Sequence, residues 1–596
     1  MRRGENRLLG TDGNEAMTSR TIDRRRLLAG AGFATAMVAS GAVAAGKPGA
    51  ATAAQPKWDH ETDVLCVGSG AAACAAAIAA LDNGAKAMLV EKMPILGGTT
   101  AKSGGVCWIP NHSKLRAAGL VDAKEDAMRY MARYSHPLAY DPDSPTLGLT
   151  ERNYKLLEAF YDEGSKTIDR LEEVGATKFK EFRLFDLDLD TPDYADHLPE
   201  NKRPTRRTIE PAVGAGSNDG GGSLAAQLAD YLRGKGVPII TDTRVTRILK
   251  ENGRVIGVEA DQEGKLVRIK ANRGVVFGTG GYSHNVDLVE QHQIALYGAC
   301  AMPGSTGDFI DMAQEAGAKM GPLGTAWRTQ VVLGEALENR AIGLGAFVLP
   351  GDSMIVVNKY GNRCVNEKRD YNDRTMAHFP YDPSKEEYPN HLMFMLFDER
   401  SIDAFGGAFP FPANKGEQPH IVEGATWEEV FAGLSKQLEA WKGRTSGVAL
   451  APEFAANAKA AVARFNGYAK AGKDPEFDRG LHLYDREWHK LFSRRRQGTK
   501  QPENKYPNNT MHPIADKGPY YGIILAPGAL DTSGGPLINE RAQVLAPGDK
   551  PIPGLYGAGN CIAAPTRTAY LGAGGTIGPA LTFGYIAGRN AAKDVA

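Results

Sequence analysis

Tyr570 and Gly574 stand four residues apart in the tail Thr568-Ala-Tyr-Leu-Gly-Ala-Gly-Gly-Thr-Ile-Gly-Pro-Ala580. A phenol O–H and a main-chain N–H at this spacing can both donate to one oxygen, and glycine lets a substrate come close to that N–H. Two fixed donors on a carbonyl oxygen stabilise the charge that develops there when the neighbouring carbon loses a proton. The pattern points to chemistry on a ketone. A glycine-rich helix start beside a packed tyrosine has the same appearance, and the tail alone leaves both readings open.

Near the other end, Asp63-Val-Leu-Cys-Val-Gly-Ser-Gly-Ala-Ala-Ala-Cys74 is an apolar run that meets glycines and then turns alanine-rich up to Asn83-Gly84. It predicts strand, tight turn and helix. Gly68 permits the turn, Gly70 lets the backbone approach a pyrophosphate at the helix start, and Ala73 keeps the helix close to the sheet. A second strand, Ala87-Met-Leu-Val-Glu-Lys92, ends on Glu91, twenty-three residues after Gly68, where a carboxylate can accept hydrogen bonds from a ribose. The small-residue loop Gly97-Gly-Thr-Thr-Ala-Lys-Ser-Gly-Gly105 follows, supplying Gly98, Thr99, Ser103 and Gly105. A nicotinamide-binding unit does not need such a loop, so it favours FAD. Gly274-Val-Val-Phe-Gly-Thr-Gly-Gly281, with Thr279 and Gly280, and Gly554-Leu-Tyr-Gly-Ala-Gly-Asn560 read as two more strand-to-glycine turns, and Ile577 opens the last helix. Ordinary packing does not call for three such turns in one chain.

Bringing these turns together requires an α/β fold. The expected nucleotide-binding domain is made of residues 57–325, with a β-rich segment around Val245 to Arg268, and of residues 511–596. Residues 326–510 form an inserted α+β substrate-capping domain, with Pro- and Asp-rich loops and helical patterns at Trp427 to Leu438 and Phe454 to Ala471. A ligand between the insert and a flavin would be shielded from water, which suits hydride chemistry.

The 596 residues carry 70 basic and 70 acidic side chains, so no basic surplus argues for nucleic acid, and no apolar run reaches the ~18 residues of a membrane span. The six cysteines show no Cys-x-x-Cys spacing. They read as buried free thiols rather than ligands of zinc, haem or iron–sulfur clusters. The twelve histidines form no metal-binding pattern. Residues 1–56 read as a separate leader: Asp23-Arg-Arg-Arg-Leu-Leu28 precedes an alanine- and glycine-rich stretch to Ala45 and resembles a twin-arginine export signal. Cleavage at Ala44 or Ala53, and a start at Met17 instead of Met1, are both compatible with it. The expected location is the periplasm or beyond, with membrane tethering if the signal stays uncut.

From Asp63 to Ala591 the chain resembles the fumarate reductase and 3-ketosteroid dehydrogenase superfamily, and more closely its 3-ketosteroid Δ1-dehydrogenase branch. The resemblance rests on Gly98-Thr-Thr-Ala-Lys-Ser-Gly-Gly-Val-Cys-Trp-Ile-Pro110, Gly304-Ser-Thr-Gly-Asp308, Asn358-Lys-Tyr-Gly-Asn-Arg-Cys-Val-Asn-Glu367, Gly518-Pro-Tyr-Tyr521 and the Tyr570 to Ala580 tail. It implies a Rossmann-like FAD-binding domain of the glutathione-reductase type and removal of hydrogen from the carbons α and β to a ketone. The substrate it implies is a 3-ketosteroid desaturated at positions 1,2; a smaller cyclic ketone of the cyclohexanone type could use the same groups. It places Tyr570 and Gly574 on the carbonyl oxygen, Tyr371 in Asn366-Glu-Lys-Arg-Asp-Tyr-Asn-Asp373 as the base, and Tyr194 in Pro192-Asp-Tyr194 as its assistant. A free phenol has a pKa of about 10, so Tyr371 needs help from Tyr194 or from a basic group such as Arg374. Electrons would pass to an external quinone-like acceptor.

Two departures separate the chain from the fumarate reductases. Leu530-Asp-Thr-Ser-Gly-Gly535 lacks their carboxylate-clamping histidine, and Tyr570 stands where they carry an arginine. The Gly98 to Gly105 loop also lacks a histidine for covalent attachment, so the FAD is expected to be non-covalent. Trp108 reads either as narrowing the site or as core, and Leu333 to Pro350 either as pocket lining or as packing. The alternatives are a periplasmic flavin reductase of an enone or enoate and a non-catalytic flavin- or ligand-binding protein.

Overall fold

The apolar run before Gly68 lies in the strand His60–Val67, inside an eight-stranded sheet of the computed structural model. The structure describes residues 57–184, 187–212, 220–412, 419–493 and 503–594, and the expected export leader lies outside them. His60–Val67 pairs in parallel with Ala87–Val90 and with Lys265–Phe277, and Lys550–Gly557 joins in parallel on the far side of Lys265–Phe277. Thr243–Glu251 and Arg254–Gln262 extend the sheet by antiparallel pairing. Parallel strands are covered on both faces and so read as unbroken apolar runs; Val64, Leu65, Cys66, Val275, Val276 and Phe277 are all fully buried.

The register gives this sheet its function. Val67 pairs with Phe277, and Phe277 with Gly557, so the three glycine turns emerge side by side at the carboxyl ends of parallel neighbours. Open α/β sheets bind ligands at such ends. The helix Ala71–Asp82 is mostly alanine, which lets the final helix, Ile577–Lys593, cross it at backbone distance. A β-carbon on Gly584 would lie 2.3 Å from the Ala72 carbonyl oxygen, and one on Gly588 2.0 Å from that of Ala76. Glycines four residues apart share one helix face, and here that face is a groove filled by the alanine ridge.

A second sheet of five strands holds Thr325–Val332, Met354–Val357, Met393–Asp398, Val422–Gly424 and Tyr520–Ser533. Alternate side chains separate its faces: Phe394 and Leu396 pack with the helices Trp427–Trp441 and Phe454–Ala471, while Met393, Met395 and Phe397 form a core on the other side. The strand Tyr520–Ser533 lies past the expected boundary at 510 and yet belongs to this sheet. It pairs antiparallel with both Thr325–Val332 and Met393–Asp398, so the chain rejoins the first sheet only after Gly534-Gly535. A three-stranded sheet, Cys107–Trp108, Thr208–Pro211 and Phe179–Glu181, lies outside both.

Candidate active site

A cavity of about 1140 Å³, open mouth included, lies at the three glycine turns. Gly68, Gly70, Glu91, Gly98, Thr99, Ser103, Thr279, Gly280, Asn560 and Ile577 all line it. Gly68 is required by the fold: its φ is +105°, and a β-carbon there would lie 2.5 Å from the Gly278 carbonyl oxygen. Gly70 has a common φ of −73°, and its β-carbon would meet no protein atom closer than Thr100 Oγ1 at 3.4 Å. Its bareness therefore serves the cavity. The helices Ala71–Asp82 and Ile577–Lys593 both start at the cavity without an acidic residue in the first turn; Thr100 Oγ1 accepts from Ala71 N at 3.0 Å at the first, and the N-cap Thr576 makes no side-chain cap at the second. Two helix starts without acidic first-turn residues and a glycine cradle fit the pyrophosphate of FAD.

Ala73 and Gly105 stand behind the wall instead of lining it. A β-carbon on Gly278 would lie 2.8 Å from the Ala73 nitrogen, so Ala73 spaces helix from sheet, and Gly105, at φ +71°, is pressed against Gly220 with a β-carbon limit of 2.4 Å. Both shape the cavity through packing.

The polar floor escaped the sequence reading. Asp531, 1% exposed, accepts from Gly281 N at 3.0 Å, Ser283 Oγ at 2.9 Å, Ser305 Oγ at 3.1 Å and Asn560 Nδ2 at 3.3 Å. It thus ties the second glycine turn to the third from a strand of the other sheet. Its loop drew notice only for the histidine it lacks. Glu91 accepts from Ser69 Oγ at 2.6 Å and Met93 N at 2.9 Å, and Lys92 pairs with Asp308 at 2.8 Å on the same lining. The Gly304 to Asp308 motif was the available signal for that pair.

Tyr194, Tyr371 and Tyr570 meet in one buried aromatic cluster. Tyr194 and Tyr371 are 177 residues apart in the chain, yet the Tyr194 hydroxyl donates to the Tyr371 oxygen at 3.0 Å. Tyr194 stacks on Tyr570 with centroids 5.2 Å apart and planes at 16°, and Tyr371 meets Tyr570 at 5.4 Å and 69°. The segments are laced together by backbone. Tyr194 N and Tyr130 Oη both donate to the Leu571 carbonyl, at 3.2 and 2.6 Å, and Asn372 Nδ2 donates to Thr568 O at 3.1 Å. Gly574, at φ +90°, is held by Trp108 N donating to its carbonyl at 3.1 Å, and a β-carbon there would lie 2.5 Å from Val106 O. Trp327 joins the two regions: it lines the cavity, donates to Asn560 Oδ1 at 2.9 Å and stands edge-on to Tyr570 at 5.5 Å. No local pattern announces it.

Trp108 proves to be core. It is fully buried and donates to Asp193 Oδ1 at 2.7 Å, within a network where Arg207 bridges Asp193 and Asp122. Of Leu333 to Pro350, Phe347 does reach the cluster, 5.1 Å from Tyr371. Burial pushes the Tyr371 phenol well above its usual range, with Tyr194 and Tyr570 adding to the shift. Burial raises Tyr194 likewise, and also Tyr570, against hydrogen bonds with Tyr371 and Thr576. Arg374 lends Tyr371 no direct contact: it donates to Gln330 Oε1 and to Arg369 O, both at 2.7 Å, and burial lowers it to about 10. Tyr194 is thus the group whose hydroxyl meets the Tyr371 oxygen.

Fold and cavity together define a flavoprotein with three buried phenols clustered beside its cofactor site. The chain belongs to the FAD binding domain family, whose model matches residues 63–577, and within it to the branch that contains the 3-oxosteroid 1-dehydrogenases. It is 30% identical to the 3-oxosteroid 1-dehydrogenase of Mycolicibacterium smegmatis, over 90% of this chain and 98% of that one. It is 29% identical to the 4-oxocyclohexanecarboxylate 2-dehydrogenase of Sinomonas cyclohexanicum, over 90% and 93%. Among solved structures, the 3-ketosteroid delta1-dehydrogenase of Sterolibacterium denitrificans in complex with 1,4-androstadiene-3,17-dione matches with a TM-score of 0.72 and 27% identity, covering 90% of this chain and all of that one.

Proposed function

We propose that the protein is an FAD-dependent dehydrogenase that desaturates a cyclic ketone between the carbons α and β to its carbonyl, with 1,2-desaturation of a 3-ketosteroid as the principal reading. The meeting of Tyr194, Tyr371 and Tyr570 beside Trp327 on the cavity wall carries it. FAD in the cavity supplies the hydride acceptor. Tyr570 keeps its proton at neutral pH because burial raises it, so it can donate to the ketone oxygen together with Gly574 N–H. A donor of this kind is worth about 3–4 kcal/mol to a developing enolate. Tyr371 takes the α-proton through the oxygen to which the Tyr194 O–H donates. Packed aromatic walls exclude water from the hydride step.

A smaller cyclic ketone is the second reading, favoured by the mutual contact of the rings, 5.2–5.4 Å between centroids, and by the likeness to a dehydrogenase of 4-oxocyclohexanecarboxylate. Anaerobic addition of 4-androstene-3,17-dione, cyclohexanone or succinate to the purified flavoprotein separates the readings. Bleaching by the steroid supports the first, bleaching by cyclohexanone alone supports the second, and a flavin that answers to neither ketone but is reoxidised from its reduced form by an activated alkene would make the protein a reductase. The FAD is proposed to be non-covalent, so acid precipitation should release it to the supernatant. Export by the twin-arginine leader and transfer of electrons to a quinone-like acceptor complete the proposal; replacing Arg24-Arg25 by lysines should keep the protein in the cytoplasm.

A further inference from the structure

A second cavity, about 1000 Å³ with its open mouth included, shares no wall residue with the flavin cavity. Its wall is made by residues 294–297, the helix Leu333–Glu338 with Arg340 after it, His391 and the end of the turn Lys442–Arg444. Arg340 and Arg444 thus face one space from separate segments. Arg340 Nε donates to Ser283 O at 3.2 Å and Arg444 Nη2 to Leu337 O at 2.6 Å, both neutral oxygens, and neither arginine pairs with a carboxylate among the described residues. Arg340 Nη2 is enclosed and has no partner there at all.

Behind the wall, Arg328 repeats the pattern. It is 5% exposed, donates to Ala295 O at 3.2 Å and to Gln293 Oε1, and leaves Nε without a partner. Burial lowers Arg328 to about 10 and takes Arg340 below its usual range. Burial acts on Arg207 and Arg363 as well, but Arg207 meets Asp122 and Asp193, Arg363 meets Glu367 and Asp474, and both are held above the usual range. The arginines at the second cavity lack that counter-charge. Withdrawing a cation from water without one costs free energy, which a bound anion would offset. Glu338, the acidic member of the wall, does not supply it: its side chain is 70% exposed and lies 3.5 Å from His420. The rest of the wall includes Ile294, Leu296 and Leu337, beside Tyr297 and His391, whose Oη and Nε2 are 2.9 Å apart.

We propose that this cavity is a binding site for a small organic anion, a carboxylate or phosphate on a short apolar body, gripped by Arg340 and Arg444 and lying against Ile294 and Leu296. Guanidinium groups present planar forks of N–H donors that match the oxygens of either group. The apolar wall residues select an anion with a hydrocarbon part over a bare inorganic ion. The site is independent of the ketone chemistry, since none of its residues belongs to the tyrosine cluster or to the flavin cradle.

Isothermal titration of the FAD-loaded protein with hexanoate and with hexyl phosphate, at constant ionic strength, tests the site, with hexanol as the uncharged control. At least one anion should bind saturably, one per chain, with a Kd below about 1 mM, and hexanol should not. Arg340→Gln and Arg444→Gln should each weaken that binding about 10-fold or more, as loss of a charged hydrogen-bond donor does, with FAD content unchanged. Arg444 is exposed, so its variant should melt with the parent and decides the matter even if Arg340→Gln does not fold. Binding of neither anion overturns the site. So does hexanol binding as tightly as the anions, or an anion affinity that stays at the parent value in Arg444→Gln.

Discussion

Around the flavin cavity the chain presents main chain: glycine turns, two helix starts and a carboxylate floor that ties the turns together. Around the tyrosine cluster it presents side chains, with phenols in mutual contact and backbone hydrogen bonds used only as lacing. The first surface suits a ligand of fixed shape and charge that any chemistry can share. The second commits the protein to one reaction. Disruption should therefore separate them: changes in the cluster should spare FAD binding, and changes in the cradle should spare the phenols.

The largest effect is expected from Tyr371→Phe. It removes the proton acceptor while a ring of the same size keeps the contacts with Tyr194, Phe347 and Tyr570. Loss of a general base costs about 10²–10⁴-fold, so single-turnover bleaching should fall by that much with FAD content unchanged. Tyr570→Phe comes next. One of the two carbonyl donors is lost, which is worth about 10²–10³ in rate, and the bleaching rate should fall with little change in ketone Kd. A Tyr371→Phe or Tyr570→Phe enzyme isolated without flavin would erase the separation between the regions.

The two regions also differ in how far the residues disclosed them. The cradle was legible because its parts are local: a strand, a positive-φ glycine and a helix start lie within a dozen residues, and the register of parallel strands then aligns the turns. Asp531 was not, because its partners Gly281 and Asn560 come from other segments and a lone carboxylate in a loop has no pattern. Tyr570 and Gly574 showed their chemistry by spacing alone, whereas Tyr194 and Tyr371 needed a family resemblance, since nothing near either residue encodes a contact over 177 positions. Trp327, inside the mixed polar and apolar strand Thr325–Val332, became visible only when the second sheet placed it between cavity and cluster. Tyr520–Ser533 joins the second sheet because pairing, and not composition, decides which sheet a buried strand joins.

A third effect acts on the support of the cluster. Glu367, four residues before Tyr371, is fully buried. Burial alone would raise its carboxyl, but Arg363, bonded at 2.9 Å, and Arg479, at 3.3 Å, bring it down to about 2 from an ordinary 4.5. A depressed carboxyl contributes stability that is complete above its unfolded value and is lost as pH falls through the folded one. Glu367 should thus supply about 3 kcal/mol at neutral pH, fading between about pH 4.5 and 2. Melting of Glu367→Gln should begin lower at pH 7, since breaking a buried pair costs about 3–5 kcal/mol, and should depend less on pH below 4.5 than the parent does. An acid limb as steep in the variant as in the parent would locate the pH dependence elsewhere.

The smallest effect separates fold from ligand inside the cradle itself. Gly68→Ala forces a side chain into φ +105° and 2.5 Å from the Gly278 carbonyl oxygen, so it should lower the melting temperature of the protein with or without FAD. Gly70→Ala meets only ordinary contact at 3.4 Å with a permitted φ of −73°, so the flavin-free protein should melt at the parent temperature. Its methyl group would instead crowd the bound cofactor. Overfilling a packed site costs about 1–3 kcal/mol, or about 5- to 150-fold in FAD affinity, measurable by quenching of flavin fluorescence. The tyrosines would stay in place, and saturating FAD should restore the bleaching rate. If Gly70→Ala binds FAD as tightly as the parent, the pyrophosphate does not rest on that turn. If it melts as Gly68→Ala does, the turn is a demand of the fold and not a cradle.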